Sequence, residues 1–192
     1  MSLTIEKCLQ AWTNSLKQLN AKADIVFFGD SLIYYGDFAS VFPNKVVCNL
    51  GLRGDTLQGM IERIEQVRIV RPSIVYLMAG VNNVSSCSVD EFKSLYEVLL
   101  RHLQMELPDV DIVVQSLLPV NDVDFSISCN NMQIRSCNEA VSKIADFFKL
   151  KYVDLFSLYV EDGKMPRGLT LDGLHLKKDA YKKWIEVITR LN

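Results

Sequence analysis

Short apolar runs alternate along this chain with longer stretches whose apolar residues recur every three or four positions, a pattern that predicts strands followed by helices. Ile5, Cys8, Leu9, Trp12, Leu16 and Leu19 keep helical spacing and predict a first helix. Strands are predicted over 24–28, 45–50 (KVVCNL), 73–79 (SIVYLMA), 111–118 (DIVVQSLL) and 152–155. Pro72 precedes the third strand and Pro119 stops the fourth. Between the second and third strands, Leu57, Met60, Ile61, Ile64 and Val67 form one helical stripe; Asp55 is expected to open that helix, with Gln58 answering it as in a capping box. Ser88 and Glu91 repeat the capping pattern before Phe92, Leu95, Tyr96, Leu99 and Leu103. Cys137, Ala140, Val141, Ile144 and Phe148 predict another helix, and Ala180, Trp184, Val187, Ile188 and Leu191 a terminal one. Strands alternating with helices imply βαβ units and a mostly parallel sheet covered on both faces, which the unbroken apolar runs of the strands also require. There is no repeat, low-complexity tract or linker, so residues 1–192 are expected to form a single domain.

Composition narrows this picture by exclusion. About half of the 192 residues are apolar (49%) and the net charge is -2, with acidic and basic residues interspersed. No basic block suggests nucleic acid, and no apolar run approaches the roughly 20 residues of a membrane span. The opening MSLTIEKCLQAW has neither the basic nor the apolar region of a signal peptide, so a cytoplasmic protein is expected unless a leader has been trimmed. The five cysteines are scattered without a Cys-x-x-Cys pair; three of them are expected to be small buried side chains in a reduced protein.

In parallel sheets of this kind, sites form where the strands end. The first strand is followed by Gly29-Asp30-Ser31-Leu32, the second by Gly51-Leu52-Arg53-Gly54-Asp55-Thr56, and the third by Gly80-Val81-Asn82-Asn83. Leu171-Asp172-Gly173-Leu174-His175-Leu176 precedes the last helix. A serine hydroxyl needs a base to become a nucleophile, and His175 is the leading candidate of two histidines; His102 falls in mid-helix, away from these turns. An imidazole in that role needs a carboxylate to fix its tautomer, and Asp172 can fold back onto it through Gly173. The oxyanion of a tetrahedral intermediate needs donors: the backbone N–H groups of Ser31 and Gly54 and the side chain of Asn82 are candidates. The bland readings are a helix-capping serine, simple turn glycines at Gly51 and Gly54 with an anion-binding loop as a second possibility, a loop amide, a turn carboxylate at Asp172 and a structural histidine at His175, with Asn83 able to compete for the role of Asn82.

These four ordered blocks resemble the SGNH, or GDSL-type, hydrolases, and the resemblance spans roughly 24–192. It implies a flavodoxin-like three-layer α/β/α sandwich with a five-stranded parallel sheet, a serine esterase that uses no metal or organic cofactor, Ser31 as nucleophile with Asp172 and His175 completing the triad, and Ser31, Gly54 and Asn82 in the oxyanion hole. The third block of the family commonly ends in Asp, where this chain has Asn83. That Gly-x-Asn-Asn form, NLGLRGDT and the LHL around His175 resemble the branch of platelet-activating-factor acetylhydrolase catalytic subunits, so Asn83 reads as a subfamily variation. Members of that branch include dimers, so a monomer or homodimer is expected.

The reading of the site is then a hydrolase that removes a small acyl group, acetyl above all, from a carbohydrate or small-molecule ester. A thioesterase or lysophospholipase is the enzymatic alternative, and a non-catalytic binding protein on the same fold is the alternative of another class. Tyr34 and Tyr35 follow the nucleophile turn and stand to line the substrate cleft or to pack; Tyr34 and Asn83 are taken as cleft residues. The 165–168 loop is expected on the leaving-group side, and the pairs Lys177/Lys178 and Lys182/Lys183 on the solvated face of the last helix.

Overall fold

The computed structural model describes residues 3–191. Five strands, β1 (Ile25–Gly29), β2 (Val47–Gly51), β3 (Ile74–Met78), β4 (Asp111–Gln115) and β5 (Lys151–Val153), form one parallel sheet in the order β2-β1-β3-β4-β5. All five predicted strands are present, each trimmed or shifted by one to three residues at its ends. The helices are α1 (Leu3–Gln18), α2 (Ser31–Tyr34), α3 (Leu57–Glu62), α4 (Ile64–Val70), α5 (Val89–Glu106), α6 (Asn131–Phe147), α7 (Phe156–Tyr159) and α8 (Tyr181–Thr189). Alternating strand residues send their side chains to opposite faces. Phe27 and Tyr76 stack on one face, in a group continued by Phe38, Trp184 and Tyr181 of the α8 layer. Phe28 lies on the other face beneath Arg63, where α3 and α4 meet. The result is the three-layer, flavodoxin-like α/β/α sandwich.

Several local expectations are corrected. The first helix buries Leu16 and half-buries Leu9 and Trp12, but Cys8 and Leu19 are exposed, and the side chain of Ile5 lies outside the described residues. Asp55 does not cap a helix. Thr56 does, accepting the Gly59 N–H on its hydroxyl, because the Asp55 carboxylate has a stronger partner in the Arg63 guanidinium at 2.7 Å. The single helix expected over 57–67 breaks at Arg63, although no glycine or proline stands there. Arg63 turns inward to donate to the carbonyls of Leu50 and Gly29 as well as to Asp55, and its backbone leaves helical values. The Ser88/Glu91 capping box is present, and α6 has a second one, Asn130/Gln133. Of the cysteines, Cys129 and Cys137 are buried, Cys48 and Cys87 half-buried and Cys8 exposed; all five are free thiols.

Among the described residues, no helix is long and apolar enough to cross a membrane.

Candidate active site

The sheet order explains why turns distant in sequence meet. Gly29 pairs with Gly51 of β2 on one side and with Met78 of β3 on the other, so the turns after β2, β1 and β3 leave the sheet side by side. Gly29 is needed there, since a Cβ would stand 2.2 Å from the Met78 carbonyl oxygen and 2.6 Å from Ile33 Cγ1. The chain turns at Asp30, whose Oδ1 accepts the Leu32 N–H at 2.9 Å and caps α2. Ser31 therefore sits at the first position of a one-turn helix, largely buried, at the carboxyl end of a central strand. Tyr181 of α8 buttresses this turn by donating to the Leu32 carbonyl at 2.8 Å.

Asp30 itself is fully buried, and its Oδ2 has no hydrogen-bond partner among the described residues. Burial pushes its carboxyl up to about 7; the Leu32 N–H and the charges of His175 and Arg63 oppose the rise, while Asp55 adds to it.

The proton side of the site is built by a loop that closes on itself. Thr170 Oγ1 donates to the His175 carbonyl and accepts the Gly173 N–H, both at 2.9 Å, and Leu171 N–H also donates to that carbonyl. Gly173 has φ +93, and a Cβ on it would stand 2.8 Å from Phe125 Cβ and 2.9 Å from the Asn121 carbonyl oxygen. Only glycine permits this turn without strain. It brings Asp172 back onto the His175 ring, with Oδ2 2.7 Å from Nδ1, while Oδ1 accepts the backbone N–H groups of Leu174 and His175. Partial burial raises the Asp172 pKa, but the hydrogen bonds from the His175 ring and from these N–H groups outweigh it and leave the carboxyl below its ordinary value. A carboxylate only accepts, so Nδ1 carries the ring proton and Nε2 is left as acceptor. Ser31 Oγ lies 3.0 Å from Nε2 and donates to it. A hydroxyl so placed can pass its proton to the imidazole as it attacks a carbonyl carbon.

Gly54 (φ +73) and Asn82 line, with Ser31 and His175, one shallow cleft of about 430 Å³. Among the described residues, the N–H groups of Ser31 and Gly54 are given to no protein acceptor. Asn82 Nδ2 donates one hydrogen to the Asp55 carbonyl at 2.7 Å, which fixes the amide and leaves its second hydrogen for another acceptor. Asp55 is in turn held by the buried Arg63; burial pushes the Asp55 carboxyl up and the Arg63 guanidinium down, and their mutual attraction opposes both.

Ser31, Gly54, Asn82, Asp172 and His175 are thus brought together. Other candidates are not. Asn83 is buried and does not line the cleft: its Oδ1 accepts the Leu57 N–H and its Nδ2 donates to Gln58 Oε1, which pins the start of α3. Tyr34 is exposed beside the site, whereas Tyr35 lines it, its ring edge-on to His175 with centroids 5.6 Å apart. The 165–168 loop lines neither the cleft nor the larger cavity beside it, because Met165 turns into the core and its N–H donates to the Val120 carbonyl. His102 is exposed on α5, outside the cleft.

The larger cavity, about 850 Å³, adjoins the cleft at Tyr35, Arg53 and His175, and its wall includes Val41, Leu176 and Ile185. Lys178 and Lys182 are exposed as expected, yet they rim this cavity. The sequence reading missed Arg53 and Arg63. Arg53 stands beside Gly54, so its neighbourhood was a usable signal; Arg63 gave none, since a charge beside an apolar stripe ordinarily faces water. Among the described residues, no group of three His, Cys, Asp or Glu side chains is placed to hold a metal ion.

The model of the GDSL-like lipase/acylhydrolase family matches residues 27–183. A structure from Streptococcus pneumonia, provisionally described as a platelet activating factor, is 21% identical, with a TM-score of 0.83 over 100% of this chain and 99% of that one. A GDSL-like lipase from Bacteroides thetaiotaomicron is 18% identical, with a TM-score of 0.79 over 95% of this chain and 96% of its own. The acetyl xylan esterase AlAXEase is 20% identical, with a TM-score of 0.71 over 86% and 98% of the two chains. No curated protein sequence matches.

Proposed function

Since this chain belongs to the GDSL-like lipase/acylhydrolase family and is a serine esterase, we propose that it removes a small acyl group, acetyl in our reading, from a carbohydrate or small-molecule ester through an acyl-enzyme on Ser31. The observation that carries this reading is the hydrogen-bonded series Asp172–His175–Ser31, whose histidine and serine line an open cleft. Ser31 Oγ attacks the ester carbonyl while its proton moves to His175 Nε2. Asp172 holds the imidazolium through Nδ1. The carbonyl oxygen, now negative, takes hydrogen bonds from the N–H groups of Ser31 and Gly54 and from the Asn82 amide. His175 returns the proton to the departing alcohol, the C–O bond breaks, and a water deprotonated by His175 then releases the acid from Ser31.

The smallness of the cleft over Ser31 and the similarity to an acetyl xylan esterase support a short acyl group on a sugar. One observation favours a second reading. The adjoining cavity has apolar wall residues and room for a longer chain, as a thioesterase or lysophospholipase would need. A series of p-nitrophenyl esters from acetate to decanoate, run beside acetylated xylo-oligosaccharides, separates the two. The first reading expects kcat/KM to be highest at acetate and to fall with length; a maximum at eight carbons or more would replace it with the second.

A further inference from the structure

The larger cavity touches the catalytic cleft at three side chains, and one of them is a cation without a counter-charge. Arg53 is exposed, makes no ion pair or hydrogen bond among the described residues, and rests with its guanidinium carbon 5.8 Å from the centroid of the Tyr35 ring. Tyr35 is itself set edge-on against His175. The carboxylates that share the cavity lie elsewhere: Asp172 is committed to His175, Asp179 pairs with Lys182 at 3.0 Å, and Asp37 and Glu186 stay beyond ion-pair distance of the guanidinium. An arginine lying over an aromatic ring keeps its planar N–H fork available at the edge, the geometry that binds carboxylate or phosphate with two hydrogen bonds.

The direction in which a bound ester must lie follows from the proton path. The carbonyl oxygen points to the Gly54 and Asn82 side, and the alcohol oxygen must approach His175 Nε2 to receive its proton. His175 and Tyr35 line both the cleft and the cavity, so an alcohol held at Nε2 has the cavity beside it to extend into.

We infer that Arg53, set against the Tyr35 ring at the join of cleft and cavity, is a specificity-determining residue that binds an oxyanion group, carboxylate or phosphate, carried on the leaving alcohol. The substrate class is then an acyl ester of an anionic alcohol. This inference rests on the proposed Ser31 chemistry and adds the Arg53 subsite to it.

The test compares 3-carboxy-4-nitrophenyl acetate with 4-nitrophenyl acetate, each kcat/KM divided by the hydroxide-catalysed rate of the same ester. The ratio in the wild-type protein is expected to favour the carboxylated ester by roughly 10- to 100-fold, the range of a charge-assisted pair. Arg53→Gln should bring it close to one, and Arg53→Lys, a point charge without the fork, should leave an intermediate value. A 4-nitrophenyl hydrogen glutarate control carries its carboxylate on the acyl side and should show no Arg53-dependent preference; an equal preference there overturns the leaving-group assignment. Inhibition of 4-nitrophenyl acetate turnover by benzoate and by phenyl phosphate, each against phenol, tells the two oxyanions apart, and inhibition by neither refutes the site. If the neutral ester turns over through Ser31 but the wild-type ratio matches that of Arg53→Gln, the Arg53 subsite alone is wrong. If Ser31→Ala retains full turnover of both esters, the serine-hydrolase reading falls and the subsite with it.

Discussion

Ser31 is chemically an ordinary serine; what sets it apart is a nitrogen lone pair 3.0 Å from its hydroxyl, held in place by Asp172. Ser31→Ala is expected to lower kcat by on the order of 10⁴-fold or more, measured on p-nitrophenyl acetate, with the fold unchanged by circular dichroism. Asn82→Ala removes one of the proposed oxyanion donors and should cost roughly 10²–10³ in kcat with little change in KM. Asp30 makes a prediction about pH. Its carboxyl titrates at about 7 in the folded protein against 3.8 as the reference value, so the folded state holds a proton that the unfolded state has lost between those values. Its contribution therefore favours the folded state below about pH 4, is lost progressively as pH rises to about 7, and levels off above that, a change on the order of 4 kcal/mol. Asp30→Asn keeps the acceptor for Leu32 N–H and should flatten this part of the stability profile in urea unfolding at stepped pH; an unchanged slope would show that Asp30 is not the group responsible.

At the scale of elements, two devices hold the site, and they differ in how readable they were. The 170–176 loop was legible because Gly173 between Asp172 and His175 signals a tight reversal, and the turn is there with φ +93. Gly173→Ala forces a Cβ into Phe125 and Asn121, so the loop must shift. Activity should fall about 10²-fold from misplacing His175, with a stability loss of about 1–3 kcal/mol. The Arg63 tie was not legible. A guanidinium buried across the ends of β1 and β2 depends on Gly29 O, Leu50 O and Asp55, acceptors that only the folded sheet assembles, with Gln66 Oε1 a longer fourth at 3.4 Å. The same tie explains why Asp55 left its expected capping role to Thr56. Arg63→Ala strands the Asp55 carboxylate and two carbonyls in the interior and should destabilise by about 3–5 kcal/mol in urea unfolding. The double variant Asp55→Asn/Arg63→Met should recover part of that loss.

For the whole molecule, the alternation of apolar runs and helical stripes sufficed for a parallel sheet with two helical layers, because the central strands β1, β3 and β4 are covered on both faces and the long helices α5 and α6 each bury a stripe. Strand order was not readable from that alternation, yet the order β2-β1-β3-β4-β5 is what places the three turns in register beside Ser31. The site residues were legible to the extent that their chemistry is local: Asp172 and His175 share a loop, and Ser31 follows a strand. Asn83 was misplaced in the cleft because adjacent amides in one turn look alike in sequence, while the fold buries one and presents the other. The central claim, that His175 activates Ser31 as the nucleophile, meets its most direct test in a fluorophosphonate probe applied to the native protein, with the labelled peptide identified by mass spectrometry. The account predicts one label per chain, on Ser31, lost in Ser31→Ala and slowed at least 10²-fold in His175→Ala. Labelling at another residue, or equal rates in wild type and His175→Ala, would contradict it.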